Sequence, residues 1–339
     1  MYKEEWVVLA AYYPPPQIGG GEVSDHWIFR EAVQQGIPVT VWCESAQESS
    51  YMYEGVSVHC SPAARQQLYA YIATRSQARV FLSGPITVVP WKLPPSTRPV
   101  VLLRSQSYLP LVRQLAPILS AIIVPSQYFK EIVQRYQPTF PDECIYVSYP
   151  NLPRIQTLPR RNPRFMTTVS AQPHKGIDLF MATARMIPEY DFLVADALHP
   201  DAMIPVSQAL HTQSNLFAST RHDTMVQIYF VTNMLLAPTV PSMHVETFGK
   251  AIAEALLYGI PALTYRYGAP QEYLDQRLYV DRDEDSLLSQ AALWREKIIW
   301  CAENPVELAD AVRLSAERLR AMQLPDAASR IVHTLRVGE

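Results

Sequence analysis

The chain has 339 residues, of which 48% are hydrophobic, so it is long enough to bury the cores of two domains. Its 29 Lys/Arg and 32 Asp/Glu residues give a formal net charge of −3, and the absence of a long basic run argues against nucleic acid as a partner. We also expect no transmembrane segment and no signal peptide, because no apolar run approaches the roughly 18 residues that span a bilayer.

The four cysteines are far apart in the sequence and lack the spacing of metal ligands. This distribution is typical of reduced thiols. We therefore expect a cytoplasmic protein that either stays soluble or associates loosely with a membrane.

Strand-like and helix-like segments alternate along the chain, which predicts doubly wound α/β domains. In the first half, a helix is predicted over residues 23–35 and strands over residues 6–11, 39–42, 80–82, 100–103 and 121–124. In the second half, a helix is predicted over residues 177–186 and strands over residues 165–169, 192–195 and 234–238.

A proline-rich stretch over residues 150–163 separates the two halves and predicts an extended linker. We therefore expect an N-terminal domain over residues 1–155 and a C-terminal domain over residues 160–322. Residues 323–339 are expected to form a final helix.

Three glycines, Gly19, Gly20 and Gly21, follow the first predicted strand and open a helix. Their bare N–H groups could meet a diphosphate or an acceptor. A flexible loop is the plainer interpretation. An NAD-dependent oxidoreductase would need the G-x-G-x-x-G spacing, which is absent here.

Two carboxylates eight positions apart, Glu246 and Glu254, flank the start of a predicted helix. The spacing of apolar residues places that start near Thr247 or Phe248, where free N–H groups favour a phosphate. Gly249 would let a ligand approach the backbone closely. Two glutamates on an ordinary α/β connection are the alternative.

The order of residues in this stretch resembles the donor-binding signature of family 4 retaining glycosyltransferases. The matching positions are Glu246, Glu254, the run Gly259-Ile260-Pro261, and Glu272. Further resemblance lies at Val124-Pro125-Ser126, where Ser126 is expected to cap a helix, at Tyr149-Pro150-Asn151, and in the loop from Ser170 to Lys175.

The resemblance implies the GT-B fold, in which two Rossmann-like domains with doubly wound parallel sheets face each other across a cleft. The first domain would bind the acceptor and the second the nucleotide-sugar donor, and the C-terminal helix would pack back on the first domain. The implied catalytic residues are Glu246 and Lys175. The implied donor-binding residues are Gly20, Gly21, Ser170, Lys175, Thr247, Phe248, Gly249, Lys250 and Glu254.

The chain departs from the family pattern at two positions. Ser170 stands where the family commonly has an arginine, and the residues from Arg104 to Ser107 occupy the region that often carries a histidine. Arg104 or Ser105 could contact the sugar or the acceptor from there. His244, close to Glu246, is a further candidate.

The implied reaction is hexosyl-like transfer, with retention, from a UDP-, GDP- or ADP-sugar to a hydroxyl of a saccharide, lipid or small molecule. We expect no metal and no other cofactor, because no Asp-x-Asp motif stands where metal-dependent transferases use it. The two departures motivate an alternative, a catalytically inactive GT-B-like nucleotide-sugar-binding module or partner of another transferase.

Overall fold

The computed structural model describes residues 4–14, 20–75, 78–84, 93, 97, 99–152, 161–195, 203–219, 225–282, 286–322 and 326–337. The chain divides into two compact units, which are Met1–Asn151 with Gln323–Glu339, and Leu152–Met322. Most of the proline-rich stretch predicted as a linker, residues 153–160, lies outside the described residues, as does Gly19.

The first unit is built on an eight-stranded sheet in the order β3-β4-β2-β1-β5-β6-β7-β8. Every pairing is parallel except that of β3 with β4. Its elements are β1 (Glu5–Ala10), α1 (Gly20–Gln34), β2 (Val39–Glu44), β3 (Ser49–Tyr53), β4 (Val56–Ser61), α2 (Ala64–Ala73), β5 (Ala78–Ser83), β6 (Val100–Leu102), α3 (Leu109–Leu115), β7 (Ala121–Val124), α4 (Gln127–Tyr136) and β8 (Ile145–Val147).

The central strand β1 is apolar on both faces because both faces of the sheet are covered. Val7 and Leu9 belong to the core on one face, and Trp6 and Val8 belong to the core on the other. Ser126 caps α4 by accepting the backbone N–H of Phe129 at 3.0 Å, as its position in the sequence predicts.

The second unit has a six-stranded, fully parallel sheet in the order β11-β10-β9-β12-β13-β14. Its elements are β9 (Phe165–Thr168), α5 (Ile177–Met186), β10 (Asp191–Val194), α6 (Met203–Thr212), β11 (Leu216–Ala218), α7 (Met225–Val231), β12 (Thr232–Ala237), α8 (Lys250–Leu257), β13 (Ala262–Tyr265), β14 (Tyr279–Val280), α9 (Leu287–Glu303) and α10 (Pro305–Ala321).

The last helix, α11 (Ala327–Val337), belongs to the first unit. Its apolar residues Ile331, Val332 and Leu335 join the core beside α1. Among the described helices, none is both long and apolar enough to cross a bilayer.

Two details differ from the sequence-based expectation. The first sheet is not wholly parallel, because β3 turns back on β4 through a tight turn at Glu54 and Gly55. Helix α1 begins at Gly20 rather than at Val23, so Gly20 and Gly21 lie inside its first turn. Gly20 and Gly21 therefore form the start of a helix.

Candidate functional site

The strand order of the second sheet reverses at β9, which pairs with β10 on one side and β12 on the other. In open α/β sheets, ligands bind outside the carboxyl ends of the strands at such a reversal. The loops that leave β9 and β12 here cover residues 169–176 and 238–249. These two loops carry most of the site residues that the resemblance implies for this unit.

Lys175 and Glu246 form an ion pair across these loops. Lys175 ends a short 3-10 turn after β9, and its Nζ donates to Glu246 Oε1. Thr239, just after β12, donates its hydroxyl to the same oxygen at 2.8 Å. The side chains of Lys175 and Glu246 are only 24% and 15% exposed, so little solvent screens their charges.

The electrostatics of this group follow from burial and from the lysine. Burial favours the neutral form of Glu246, but the charge of Lys175 and the hydrogen bonds from Lys175 and Thr239 outweigh it and lower the carboxyl pKa. Burial, and then Lys175, lower the pKa of His244 to about 4. His244 is therefore neutral at neutral pH, and the group holds one carboxylate and one ammonium.

The backbone of Glu246 is fixed by a third loop, which follows β13. The N–H of Ala269 donates to the Glu246 carbonyl at 2.8 Å. Gly268 has a φ of +82°, and a Cβ there would lie 2.6 Å from that carbonyl oxygen. Only glycine combines this backbone angle with so close an approach.

Helix α8 begins at Lys250, later than the expected start near Thr247 or Phe248. Gly249 directly precedes the helix and has a left-handed backbone, with a φ of +77°. This angle is not helical, so the helix cannot extend back past Gly249. A Cβ on Gly249 would lie 3.0 Å from the hydroxyl of Tyr273 and 3.2 Å from Pro270 Cγ. That side of Gly249 therefore faces protein, where Tyr273 and Pro270 pack against it.

Glu254 lies about one turn into α8, because the helix begins at Lys250 rather than near Thr247 or Phe248. Its side chain is 10% exposed. The hydroxyl of Tyr229, on α7, donates to Glu254 Oε2 at 2.8 Å, and Lys250 Nζ lies 3.3 Å from Oε1. Glu254 is therefore a buried, partnered carboxylate, and Lys250 is paired with it.

The other residues predicted in the second unit have mainly structural contacts. Phe248 is buried with its ring 5.6 Å from that of Tyr273, whose hydroxyl donates to the Phe248 carbonyl at 2.7 Å. Ser170 accepts the backbone N–H of Gln172 at 3.4 Å within the loop after β9. Thr247 is half-buried between Glu246 and Phe248.

In the first unit, Gly21 and Arg104 are in contact at the carboxyl ends of the strands. A Cβ on Gly21 would lie 3.3 Å from Arg104 Cβ. Arg104 Nε donates to Asp25 Oδ1 at 2.6 Å, and Ser83 donates to Asp25 Oδ2 at 2.5 Å. The arginine side chain is thus committed to a buried aspartate and is only 9% exposed.

Asp25 is a residue that the sequence analysis missed. It is 2% exposed, and burial raises its carboxyl pKa, an effect that Arg104 and Ser83 offset only in part. Its position on the inner face of α1, one turn after Gly21, was the available signal. Ser105 instead caps the 3-10 turn that follows β6, accepting the backbone N–H of Ser107 at 3.3 Å.

No protein-family profile and no curated protein sequence matches the chain. Solved structures do match it. One is HepE from Anabaena in complex with UDP and glucose, with a TM-score of 0.73, 16% identity and coverage of 98% of this chain and 99% of that one. Another is sucrose-phosphate synthase from Thermosynechococcus elongatus, with a TM-score of 0.73, 12% identity and coverage of 99% and 100%.

A glycosyltransferase from Rickettsia africae matches with a TM-score of 0.70, 11% identity and coverage of 99% and 98%. The matches extend over both chains almost completely, at identities that establish the fold alone. The chain thus has the GT-B fold, with two parallel-sheet α/β domains, which confirms the predicted fold class.

Proposed function

We propose that the chain is a glycosyltransferase, which moves a sugar from a nucleotide-diphosphate donor to an acceptor hydroxyl. The observation that carries the proposal is the group of Lys175, Glu246 and Thr239 at the strand-order reversal of the second sheet. A half-buried ammonium at this position suits a diphosphate, and the GT-B fold is the fold of the sugar-nucleotide enzymes named above.

In this proposal Lys175 stabilises the negative charge that builds on the leaving nucleoside diphosphate. Glu246 fixes the lysine, because its Oε1 accepts both Lys175 and Thr239. We assign Oε2 of the same carboxylate to a hydroxyl of the donor sugar. One residue would thereby couple the position of the sugar to that of the phosphate-binding cation.

Glu254 is proposed to hold the ribose of the nucleotide. A carboxylate has about four lone-pair sites, and Tyr229 and Lys250 use two of them. The free N–H groups in the first turn of α8, beside Lys250, would add to the positive potential at the diphosphate. We propose UDP-sugars as the first donors to test, because HepE was solved with UDP and glucose.

Retention at the anomeric carbon and independence from metal ions are further parts of the proposal. Retention rests on the resemblance at Glu246, Glu254, Gly259, Pro261 and Glu272, and metal independence rests on the lack of an Asp-x-Asp motif where metal-dependent transferases use it. Lys175 would supply the positive charge that a metal ion supplies elsewhere. The acceptor remains open among saccharides, lipids and small molecules.

The test is a transfer assay with purified protein, a UDP-, GDP- or ADP-sugar, and a panel of sugar and lipid acceptors, with and without EDTA. NMR of the product gives the anomeric configuration. The proposal expects release of nucleoside diphosphate, a retained configuration and no effect of EDTA. Donor binding without release of nucleoside diphosphate under any condition would instead favour the inactive binding module.

A further inference from the structure

Cys43 on β2 and Cys60 on β4 are register partners on neighbouring parallel strands. Such partners project to the same face of a sheet, from strands about 4.8 Å apart. This separation falls within the range of about 4.4–6.8 Å that Cα atoms span in disulfides. Both cysteines are free thiols here, although 17 positions separate them in the sequence.

The two thiols differ in access. Cys43 is 5% exposed and belongs to the core between the sheet and α1, whereas Cys60 is half-buried at the edge of the same core. Burial, and then the neighbouring Cys60, raise the pKa of the Cys43 thiol to about 12. A disulfide reagent from solution would therefore reach Cys60 first. Cys43 could then react only with the mixed disulfide that forms on Cys60.

Cys43 also contacts the segment that leads from β1 to α1. Its Sγ lies 3.8 Å from the carbonyl oxygen of Ala11, and it receives a hydrogen bond from the backbone N–H of Tyr13. The Tyr51 hydroxyl, on β3, donates to the Pro14 carbonyl at 3.0 Å in the same segment. A chemical change at Cys43 would therefore disturb the chain over residues 11–14, directly after β1.

We propose that Cys43 and Cys60 form a redox modification site, which accepts a disulfide by exchange with a low-molecular-weight disulfide such as oxidised glutathione. The Cys60 thiolate attacks one sulfur of the reagent, forms a mixed disulfide and releases one thiolate. Cys43 then loses its proton, attacks Cys60 Sγ and releases the second thiolate. Two protein thiols are oxidised and one small disulfide is reduced to two thiols.

The test uses Cys144→Ser/Cys301→Ser, which leaves only the proposed pair, in mildly alkaline buffer with oxidised glutathione and, separately, with the smaller hydroxyethyl disulfide. We expect both thiols to disappear, the mass to fall by two hydrogens, and dithiothreitol to restore both. Digestion after glutamates cuts at Glu44, Glu48 and Glu54. The Cys43 and Cys60 peptides should then remain joined until they are reduced.

Cys43→Ala in the same background is the control for the second step. It should stop at a lasting mixed disulfide on Cys60, which the parent protein forms only transiently. The proposal is overturned if the parent protein keeps the mixed disulfide to the same extent as Cys43→Ala. It is equally overturned if both thiols of the folded parent protein stay reduced with both reagents.

Discussion

Lys175 and Glu246 are 71 residues apart in the chain and form an ion pair at the carboxyl ends of β9 and β12. The pair joins the loops that leave the two strands on either side of the sheet's reversal point. Three loops fix it, because the loop after β13 also binds the Glu246 backbone through Ala269. A donor diphosphate at this place would meet a cation whose position is set before binding.

The first prediction concerns the stability that this pair contributes. Lys175→Met leaves the largely buried Glu246 carboxylate without its cation and should cost about 2 kcal/mol of unfolding free energy. In the double variant Lys175→Met/Glu246→Gln the uncompensated charge is gone, so part of this loss should be recovered. Urea denaturation of the wild type, Lys175→Met, Glu246→Gln and the double variant measures the coupling energy. Strictly additive losses would contradict a functional ion pair.

The second prediction concerns the pH dependence of the unfolding free energy that arises from His244. The pKa of His244 is lowered to about 4 in the folded protein from an ordinary value of 6.5, so below pH 6.5 the unfolded chain binds a proton that the folded protein does not. Unfolding free energy should therefore fall between pH 6.5 and 4, by on the order of 1 kcal/mol after allowance for solvent screening.

His244→Gln should remove this component of the pH dependence. The groups that face His244 are Lys175, Glu246 and His174, and the variant keeps all three. His211→Gln, at an exposed position on α6, is the matched control and should leave the profile of the wild type unchanged. Equal profiles for the wild type and His244→Gln would show that His244 titrates normally in the folded protein.

The third prediction compares two glycines of the second unit. It separates the stability cost of a positive φ from the cost of a clash between a new Cβ and a neighbouring group. Gly268 and Gly259 both have positive φ, at +82° and +71°, but only at Gly268 would a Cβ meet another group within 4 Å, the Glu246 carbonyl. Gly259→Ala should cost about 1 kcal/mol from the backbone angle alone. Gly268→Ala should cost roughly 2 kcal/mol more, because it also displaces Glu246.

Calorimetric or urea unfolding gives both values, and donor affinity provides a second comparison. Gly268→Ala should weaken donor binding through the displaced Glu246, whereas Gly259→Ala should not. Equal losses of unfolding free energy in the two variants would contradict the prediction. They would mean that the loop after β13 accommodates the new methyl group without moving Glu246.

The fourth prediction concerns the environment of Glu254. Tyr229→Phe removes the hydroxyl that donates to Glu254 Oε2 at 2.8 Å, in a site where Tyr229 is 1% exposed. We expect a loss of about 1–2 kcal/mol of unfolding free energy, because a buried carboxylate loses a hydrogen bond. Tyr258→Phe is the control, since the Tyr258 ring packs against that of Tyr229 in a tilted arrangement, with ring centroids 5.5 Å apart, and Tyr258 is more exposed. A similar loss in both variants would contradict the prediction.

The regular elements of the fold could be predicted where burial leaves a clear pattern. Helix α5 has the predicted bounds, and β7 coincides with the predicted strand over residues 121–124, because fully covered parallel strands are continuous apolar runs. Strands β3 and β11 are among those that were not predicted. Half-exposed Ser and Tyr residues in β3 and the short length of β11 give no such pattern.

The residues of the candidate site could be predicted from the sequence, but the contacts between them could not. The sequence identified Lys175 and Glu246 separately, but their pairing depends on the strand order of a sheet, which local patterns do not encode. The contacts of Arg104 with Asp25 and of Cys43 with Cys60 could not be predicted for the same reason. Each of these pairs joins elements that are distant in the sequence.

Isothermal titration of UDP, GDP and ADP into the wild type, Lys175→Met and Lys297→Met shows whether Lys175 binds the diphosphate of the donor. Lys297 lies over the ring of Trp300 on α9 of the same unit and serves as the matched lysine. We expect one nucleotide to bind the wild type and Lys297→Met equally. It should bind Lys175→Met about tenfold or more weakly, because a charge-assisted contact is lost. Equal affinity for Lys175→Met would contradict the assignment of Lys175 to the diphosphate.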